Sequence, residues 1–395
     1  MSLISLRPHQ TSHVQRMLKN LSSTNVTIDT SGTGAGKTFT SLFIAQTIGL
    51  PLSLISPKSI SLVWESLCEQ LNISVHSISS YALIAARRVT PWSEPVLVVC
   101  DEFHYLKNDT KRFQKVKKLL SILPEGSKVI LLSATPYDKE SNTTQMKELY
   151  KAIATEGCYT DVLSSMSYSI PHSLTITKGY FNVDADAHEL YAQGVYKLHS
   201  LHRSRYTGRP INPRIVAGMI TNGTRMIHDG TVQKLIEIAR NRLTVTHQMK
   251  LVVIAKYTKN MDLIAEKLCE FGVVQLDGRT TNRLDIIQQF QAPNNTIRVI
   301  VTSAQVGGVG INLDDQHGSY PREMLILPSY ECIDLVQCVG RIHRSSTKSP
   351  ASVTLVLANK CTSPIISNVD RKLNMMNTLT DSVAHFVKMT TYTEE

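Results

Sequence analysis

Val26-Thr27-Ile28-Asp29-Thr30-Ser31-Gly32-Thr33-Gly34-Ala35-Gly36-Lys37-Thr38, followed by a helical pattern carrying Phe39, Leu42, Phe43 and Ile44, decides the reading of this chain. A short β-branched run enters a tight glycine-rich loop, and an apolar helix leaves it. The glycines let the backbone bend until successive N–H groups and the helix N-terminus converge on phosphate oxygens. The Lys37 ammonium then reaches the β and γ phosphates, and the Thr38 hydroxyl is placed to hold Mg²⁺. Ser31 stands where the usual pattern has Gly or Ala, and serine is small enough for the turn to survive. The expected ligand is ATP with Mg²⁺, held by Ser31, Gly32, Thr33, Gly34, Ala35, Gly36, Lys37 and Thr38.

Further along, the apolar run Val96-Leu97-Val98-Val99-Cys100 ends in Asp101-Glu102-Phe103-His104. Two adjacent carboxylates at the carboxyl end of a strand suit a nucleotide site: Asp101 to hold Mg²⁺ and Glu102 to orient and deprotonate the attacking water. The dipeptide alone is common, and it gains weight from the phosphate loop before it. The strand Val129 to Leu132 leads into Ser133-Ala134-Thr135-Pro136, where Ser133 and Thr135 are candidates for coupling nucleotide state to movement.

Apolar runs at Val26–Asp29, Leu52–Ser56, Val96–Cys100 and Val129–Leu132 alternate with amphipathic segments, as buried parallel strands and their crossover helices do. The rhythm resumes at Leu251–Ala255, Val273–Leu276, Arg298–Thr302, Met324–Leu327 and Val353–Leu357. The expected class is therefore α/β with two parallel sheets flanked by helices, the domains spanning 1–157 and 231–360. Between them, 158–230 reads as a basic, partly helical connector carrying Lys197, His199, His202, Arg203, Arg205, Arg209 and Arg214, and 361–395 as a helical tail. His199 and His202 lack the cysteine or carboxylate partners of a metal site. Lys111, Lys115, Lys117 and Lys118 read as the solvated side of a helix.

With 395 residues, a division into two domains, or as the alternative three, is natural. A net charge of +10 favours a polyanionic partner. The seven cysteines are scattered without a C-x-x-C pair, which gives no sign of a disulfide framework or zinc site. No long apolar stretch or leader pattern is present, so a soluble, intracellular protein without a membrane partner is expected, in cytoplasm or nucleus.

In Gln337-Cys338-Val339-Gly340-Arg341-Ile342-His343-Arg344, a helical reading puts Gln337, Arg341 and Arg344 on one face, where they could point together across a cleft. Arginines supplied by a facing domain neutralise charge on a transferring phosphoryl group.

Together these segments resemble the superfamily 2 helicases and translocases, most closely the Snf-type branch related to chromatin remodellers. The resemblance runs over nearly the whole chain. Leu6-Arg7-Pro8-His9-Gln10 is similar to the family's opening segment, which implies nucleotide contact by Arg7 and adenine contact by Gln10. Ile55-Ser56-Pro57-Lys58 with Trp64 resembles the first nucleic-acid motif, implicating Pro57 and Lys58. Asp101 to His104 with Leu106-Lys107-Asn108 resembles the Snf-type acidic box, and Leu276-Asp277-Gly278 with Arg283 and Phe290 a further segment, implicating Asp277 and Gly278. Ser303 to Leu313 resembles the glycine-rich coupling motif, with Ser303, Gly307 and Gly308 toward the nucleic acid and Gly310 toward the nucleotide. Gln337, Arg341 and Arg344 fall on the arginine-finger motif. Two departures stand out: Phe103 replaces a small residue, and Ser133-Ala134-Thr135-Pro136 has the general helicase form.

The resemblance implies two tandem RecA-like P-loop domains, with ATP in the cleft and nucleic acid across both. It describes a pared-down, monomeric motor of the kind some viruses and phages encode, in host cell or virion. The leading expectation is translocation on or unwinding of DNA, duplex by preference. An RNA-dependent helicase is the runner-up, and a nucleic-acid-binding protein with a dead ATPase site the third reading.

Overall fold

The apolar runs of the first half become the middle of one parallel sheet in the computed structural model, which describes residues 5–87, 90–139, 141–166, 170–206, 212–307, 311–358, 364–379 and 389–394. Its strands are β1 (Val26–Asp29), β2 (Leu52–Ser56), β3 (Val75–Ser80), β4 (Leu97–Asp101), β5 (Lys128–Leu132) and β6 (Leu163–Ser164), in the order β3-β2-β4-β5-β1-β6. Parallel neighbours need long crossovers, and the helices Lys37–Ile48, Lys58–Gln70, Lys111–Leu120 and Ser141–Ile153 fall within them. Strands β1, β2 and β4 are buried throughout, which explains their largely apolar character. Val26, Ile28, Val98, Phe113, Val129 and Leu149 belong to the core beneath them. Because the strands are parallel, the loops after β1 and β4 leave the sheet at the same edge, with only β5 between their strands.

A second unit holds β7 (Leu174–Phe181), β8 (Lys250–Ile254), β9 (Val273–Leu276), β10 (Val299–Thr302), β11 (Arg322–Ile326), β12 (Ala351–Ala358) and β13 (Thr390–Thr393), again all parallel, in the order β13-β7-β12-β11-β8-β10-β9. The chain divides into residues 1–169 with 375–383, and 170–374 with 384–395. No helix among the described residues is long and apolar enough to cross a membrane.

Two segments differ from the sequence reading. The stretch 158–230 is not a separate connector: it contributes β6 to the first sheet, β7 to the second, and a hairpin of the helices Ala185–Tyr206 and Pro213–Asp229. Strand β7 escapes notice because Lys178 and Gly179 interrupt its apolar run and only part of it is buried. The side chains of His202, Arg203 and Arg205, and all of Arg209, lie outside the described residues. Among its described residues the tail is helical over Pro364–Leu379, and β13 pairs with β7, a partner more than 200 residues earlier in the chain.

Candidate functional site

The loop after β1 owes its shape to residues on both sides of it. Gly34 and Gly36 have φ of 78° and 93°, which an L-residue rarely adopts. A Cβ on Gly36 would also meet Gln10 Nε2 at 2.3 Å. Gln10 is buried, donates to Ala35 O at 3.3 Å and accepts from the Arg7 backbone N–H at 2.9 Å. Both ends of its amide are thus engaged, one of them on the phosphate loop; the Arg7 side chain is exposed just before the helix Pro8–Thr24. Lys37 opens the following helix and donates to Ser31 O at 2.8 Å and Gly32 O at 3.0 Å. Its ammonium therefore lies over the loop, with Thr38 beside it in the first helical turn.

At the end of β4, Asp101 accepts from Trp64 Nε1 at 2.9 Å and from the Glu102 backbone N–H at 2.8 Å, while Tyr81 donates to its carbonyl at 2.9 Å. Burial and the neighbouring Glu102 charge push its carboxyl up to about 6, against the Trp64 hydrogen bond and the Lys37 charge. Trp64, at 1% exposure, is a core residue that orients Asp101, so it does not offer the nucleic-acid surface its motif suggested. Glu102 is held at φ 53°, a left-handed conformation uncommon for this residue type. Its Oε2 lies 3.2 Å from His104 Nδ1, which lies 3.1 Å from Ser133 Oγ, and Ser133 in turn accepts from the Thr135 N–H at 3.2 Å. The acidic box and the Ser133–Thr135 turn are thus one buried polar network within the first unit. Lys107 and Asn108 form a separate cluster: Lys107 pairs with Asp138 at 3.0 Å, and Asn142 donates to Lys107 O at 2.7 Å and to Asn108 Oδ1 at 3.3 Å. Pro57 is buried and Lys58 exposed.

In the second unit, Gln337 and Arg341 lie on the helix Cys332–Ile342, but Arg344 does not. The helix ends at His343, whose backbone is extended, and this carries Arg344 off the shared face. At 8% exposure, the Arg344 guanidinium folds back onto Gly340 O, at 2.9 and 3.1 Å, and onto Asn312 Oδ1. Arg341 donates to Ile311 O at 3.4 Å, and Gln337 is buried. Asp277 is tied to Arg279 at 2.6 Å, which holds its carboxyl below the usual range, and Gly278 is exposed beside it. Ser303 follows β10, and Gly307 closes the short helix Ala304–Gly307; Gly308 and Gly310 lie outside the described residues. A cavity of about 180 Å³, lined by Ile254, Lys256, Tyr257, Ser303, Leu327 and Pro328 among others, opens at the carboxyl ends of β8, β10 and β11.

Sequence reasoning missed one buried pair under the phosphate loop: His13 Nε2 lies 3.0 Å from Asp29 Oδ2, both side chains at 0% exposure. A charged residue ending a wholly buried strand was its local signal.

The donor set fits a magnesium nucleotide. Thr38 offers a hydroxyl, and each Asp101 oxygen, having taken one N–H, retains acceptor capacity for a metal-bound water. No cluster of three or more His, Cys, Asp or Glu side chains suited to a metal occurs among the described residues.

Two parallel-sheet units, one carrying a glycine-rich loop and an acidic pair at its strand ends, have the architecture of tandem RecA-like domains. Residues 231–346 match the helicase conserved C-terminal domain. The chain is similar to L364 of Acanthamoeba polyphaga mimivirus, which bears an ATP-dependent RNA helicase name, at 20% identity over 96% of this chain and 82% of that protein. It is also similar to a DNA repair and recombination protein RAD54-like of Drosophila pseudoobscura pseudoobscura, at 23% identity over 38% of this chain and 19% of that protein. This chain thus spans most of the first relative and a small part of the second. Among solved structures, that of Mss116p bound to ssRNA and AMP-PNP shares the fold, with a TM-score of 0.62, 14% identity, and 99% of this chain and 74% of that one covered. The matched domain and the similarity to L364 relate this chain to the superfamily 2 helicases, which are ATP-hydrolysing enzymes.

Proposed function

We propose that the chain is a nucleic-acid-dependent ATPase motor whose preferred track is duplex DNA. The observation that carries the chemistry is the Lys37 ammonium, held over its own loop by Ser31 O and Gly32 O and close enough for Asp101 to feel its charge. On this reading ATP takes Lys37 from two neutral carbonyls to phosphate oxygens, while loop N–H groups and the helix N-terminus hold the same phosphates. Thr38 and Asp101 would hold Mg²⁺, whose charge neutralises that developing on the phosphate oxygens. Glu102, fixed in orientation by His104, accepts a proton from the attacking water as the γ-phosphoryl bond to ADP breaks. Arg341 and Arg344 of the second unit complete charge neutralisation, with Gln337 beside them. Arg344 must first exchange its Gly340 and Asn312 contacts for phosphate, a change that nucleic acid on Pro57, Lys58, Asp277, Gly278, Ser303, Gly307 and Gly308 would favour.

The Snf-type spacing of Asp101–His104 and Leu106–Asn108, together with the RAD54-like relative, supports duplex DNA. A second reading, an RNA-dependent helicase, is favoured by the RNA helicase name of the relative aligned over 96% of the chain. ATP turnover measured with duplex DNA, single-stranded DNA and RNA separates them. Duplex DNA is expected to stimulate most, and Glu102→Gln to lower stimulated turnover by at least about a hundredfold while ATP still binds. Strongest stimulation by RNA overturns the DNA track, and full turnover in Glu102→Gln overturns the catalytic assignment.

A further inference from the structure

Asp29 places a buried carboxylate at the base of a loop built to receive a polyanion. It ends β1, and its Oδ1 accepts from the Ser31 N–H at 2.8 Å, so it shapes the loop at its entry. Left unopposed in a low-dielectric interior, the same charge would repel the phosphates the loop binds. Opposing it, His13 Nε2 approaches the other oxygen at 3.0 Å. The second His13 nitrogen is fixed by Ser164 Oγ at 3.1 Å, and Ser164 O receives the Thr30 N–H at 2.8 Å. Met166 N–H closes the arrangement on Ser31 Oγ at 2.8 Å.

His13 sits one helical turn after Gln10 on the helix Pro8–Thr24, and that spacing puts the two on neighbouring positions of one face. Gln10 touches the exit of the loop at Ala35 and Gly36, and His13 acts on its entry through Asp29. The carboxyl of Asp29 answers to the same partners: burial drives it up, yet His13 first, then Lys37 and Ser31, bring it below its ordinary range. The charged and titratable groups acting on it are therefore His13 from the first helix and Lys37 from the second.

We propose that His13 is a positioning residue for triphosphate binding: it compensates the Asp29 carboxylate so that this side chain can shape the phosphate loop without repelling the nucleotide. The inference rests on the reading that the loop receives ATP. Equilibrium binding of a fluorescent, non-hydrolysed ATP analogue with Mg²⁺ tests it on the full chain without any nucleic acid. His13→Ala is expected to weaken binding by about tenfold, the low end of the cost of leaving a buried group without its partner. Asp29→Asn added to it removes the unopposed charge while keeping an acceptor for Ser31, and is expected to return affinity to within about threefold of the parent. His13→Gln, which keeps a donor toward Asp29, is expected to bind like the parent and serves if His13→Ala fails to fold.

A merely structural role would lower the unfolding temperature without this pattern of loss and rescue. Unchanged affinity in folded His13→Ala overturns the proposal, as does a double variant that binds as weakly as the single one. Undiminished binding in Lys37→Ala overturns the reading of the loop itself, so the two failures are distinct.

Discussion

His228 is a titratable group that folding keeps neutral. It is fully buried in the second unit, its Nε2 donates to Pro328 O at 2.9 Å, and its Nδ1 has no hydrogen-bond partner among the described residues. Burial lowers its pKa from the ordinary 6.5 to about 4. Between those values the unfolded chain binds a proton that the folded chain does not, so stability falls as pH falls through this window. The expected loss is on the order of 3 kcal/mol from pH 7 to pH 4. Urea unfolding of the second unit at several pH values measures it. His228→Asn is expected to be less stable than the parent at pH 7, with the gap closing by about that amount at pH 4; a constant gap contradicts the assignment. The Trp64 hydrogen bond to Asp101 makes the complementary point, because there a buried donor stabilises the charged form of a carboxyl that burial otherwise disfavours.

The helical hairpin of Ala185–Tyr206 and Pro213–Asp229 depends on backbone contact rather than on side-chain volume. A Cβ on Gly194 would come within 2.7 Å of Gly223 O and 3.0 Å of Ile227 N, whereas one on Gly218 would meet nothing within 4 Å. Gly194→Ala is therefore expected to cost about 1–3 kcal/mol by forcing the helices apart. Gly218→Ala is expected to stabilise by about 0.5–1 kcal/mol through helix propensity. Chemical unfolding of the two variants compares them, and equal effects would argue against the close crossing.

The same scale explains what the sequence disclosed. Strands β1, β2, β4 and β5 were legible because central parallel strands are buried on both faces and read as largely apolar runs. Strands β3 and β13 lie at sheet edges and have no fully buried residue, β6 is two residues long, and β7 is interrupted, so none produced that signal. The phosphate loop and acidic box were legible from local spacing. Trp64 with Asp101 and His13 with Asp29 were not, because those pairs form only when distant segments meet. Arg344 was misplaced because helical periodicity was carried past the helix end at Ile342.

For the whole molecule, the charge of +10 bears on how a track would be held. Exposed Lys58, Lys111 and Lys118 illustrate basic side chains open to solvent on the first unit, while Lys117 is partly occupied by Glu148 at 3.0 Å. A motor that moves along a backbone must hold it mainly through phosphates, since base-specific contacts would arrest it. Each phosphate neutralised releases counterions and adds about −0.9 to the slope of log affinity against log salt on duplex DNA. With roughly six such contacts, affinity is expected to fall by about a thousandfold between 50 and 200 mM salt. Fluorescence anisotropy with duplexes of unrelated sequence measures this. Lys58→Ala is expected to weaken every duplex alike and to make the slope shallower by about one unit. A shallow slope, or a strong preference among sequences, would point instead to recognition through base edges and away from a tracking motor.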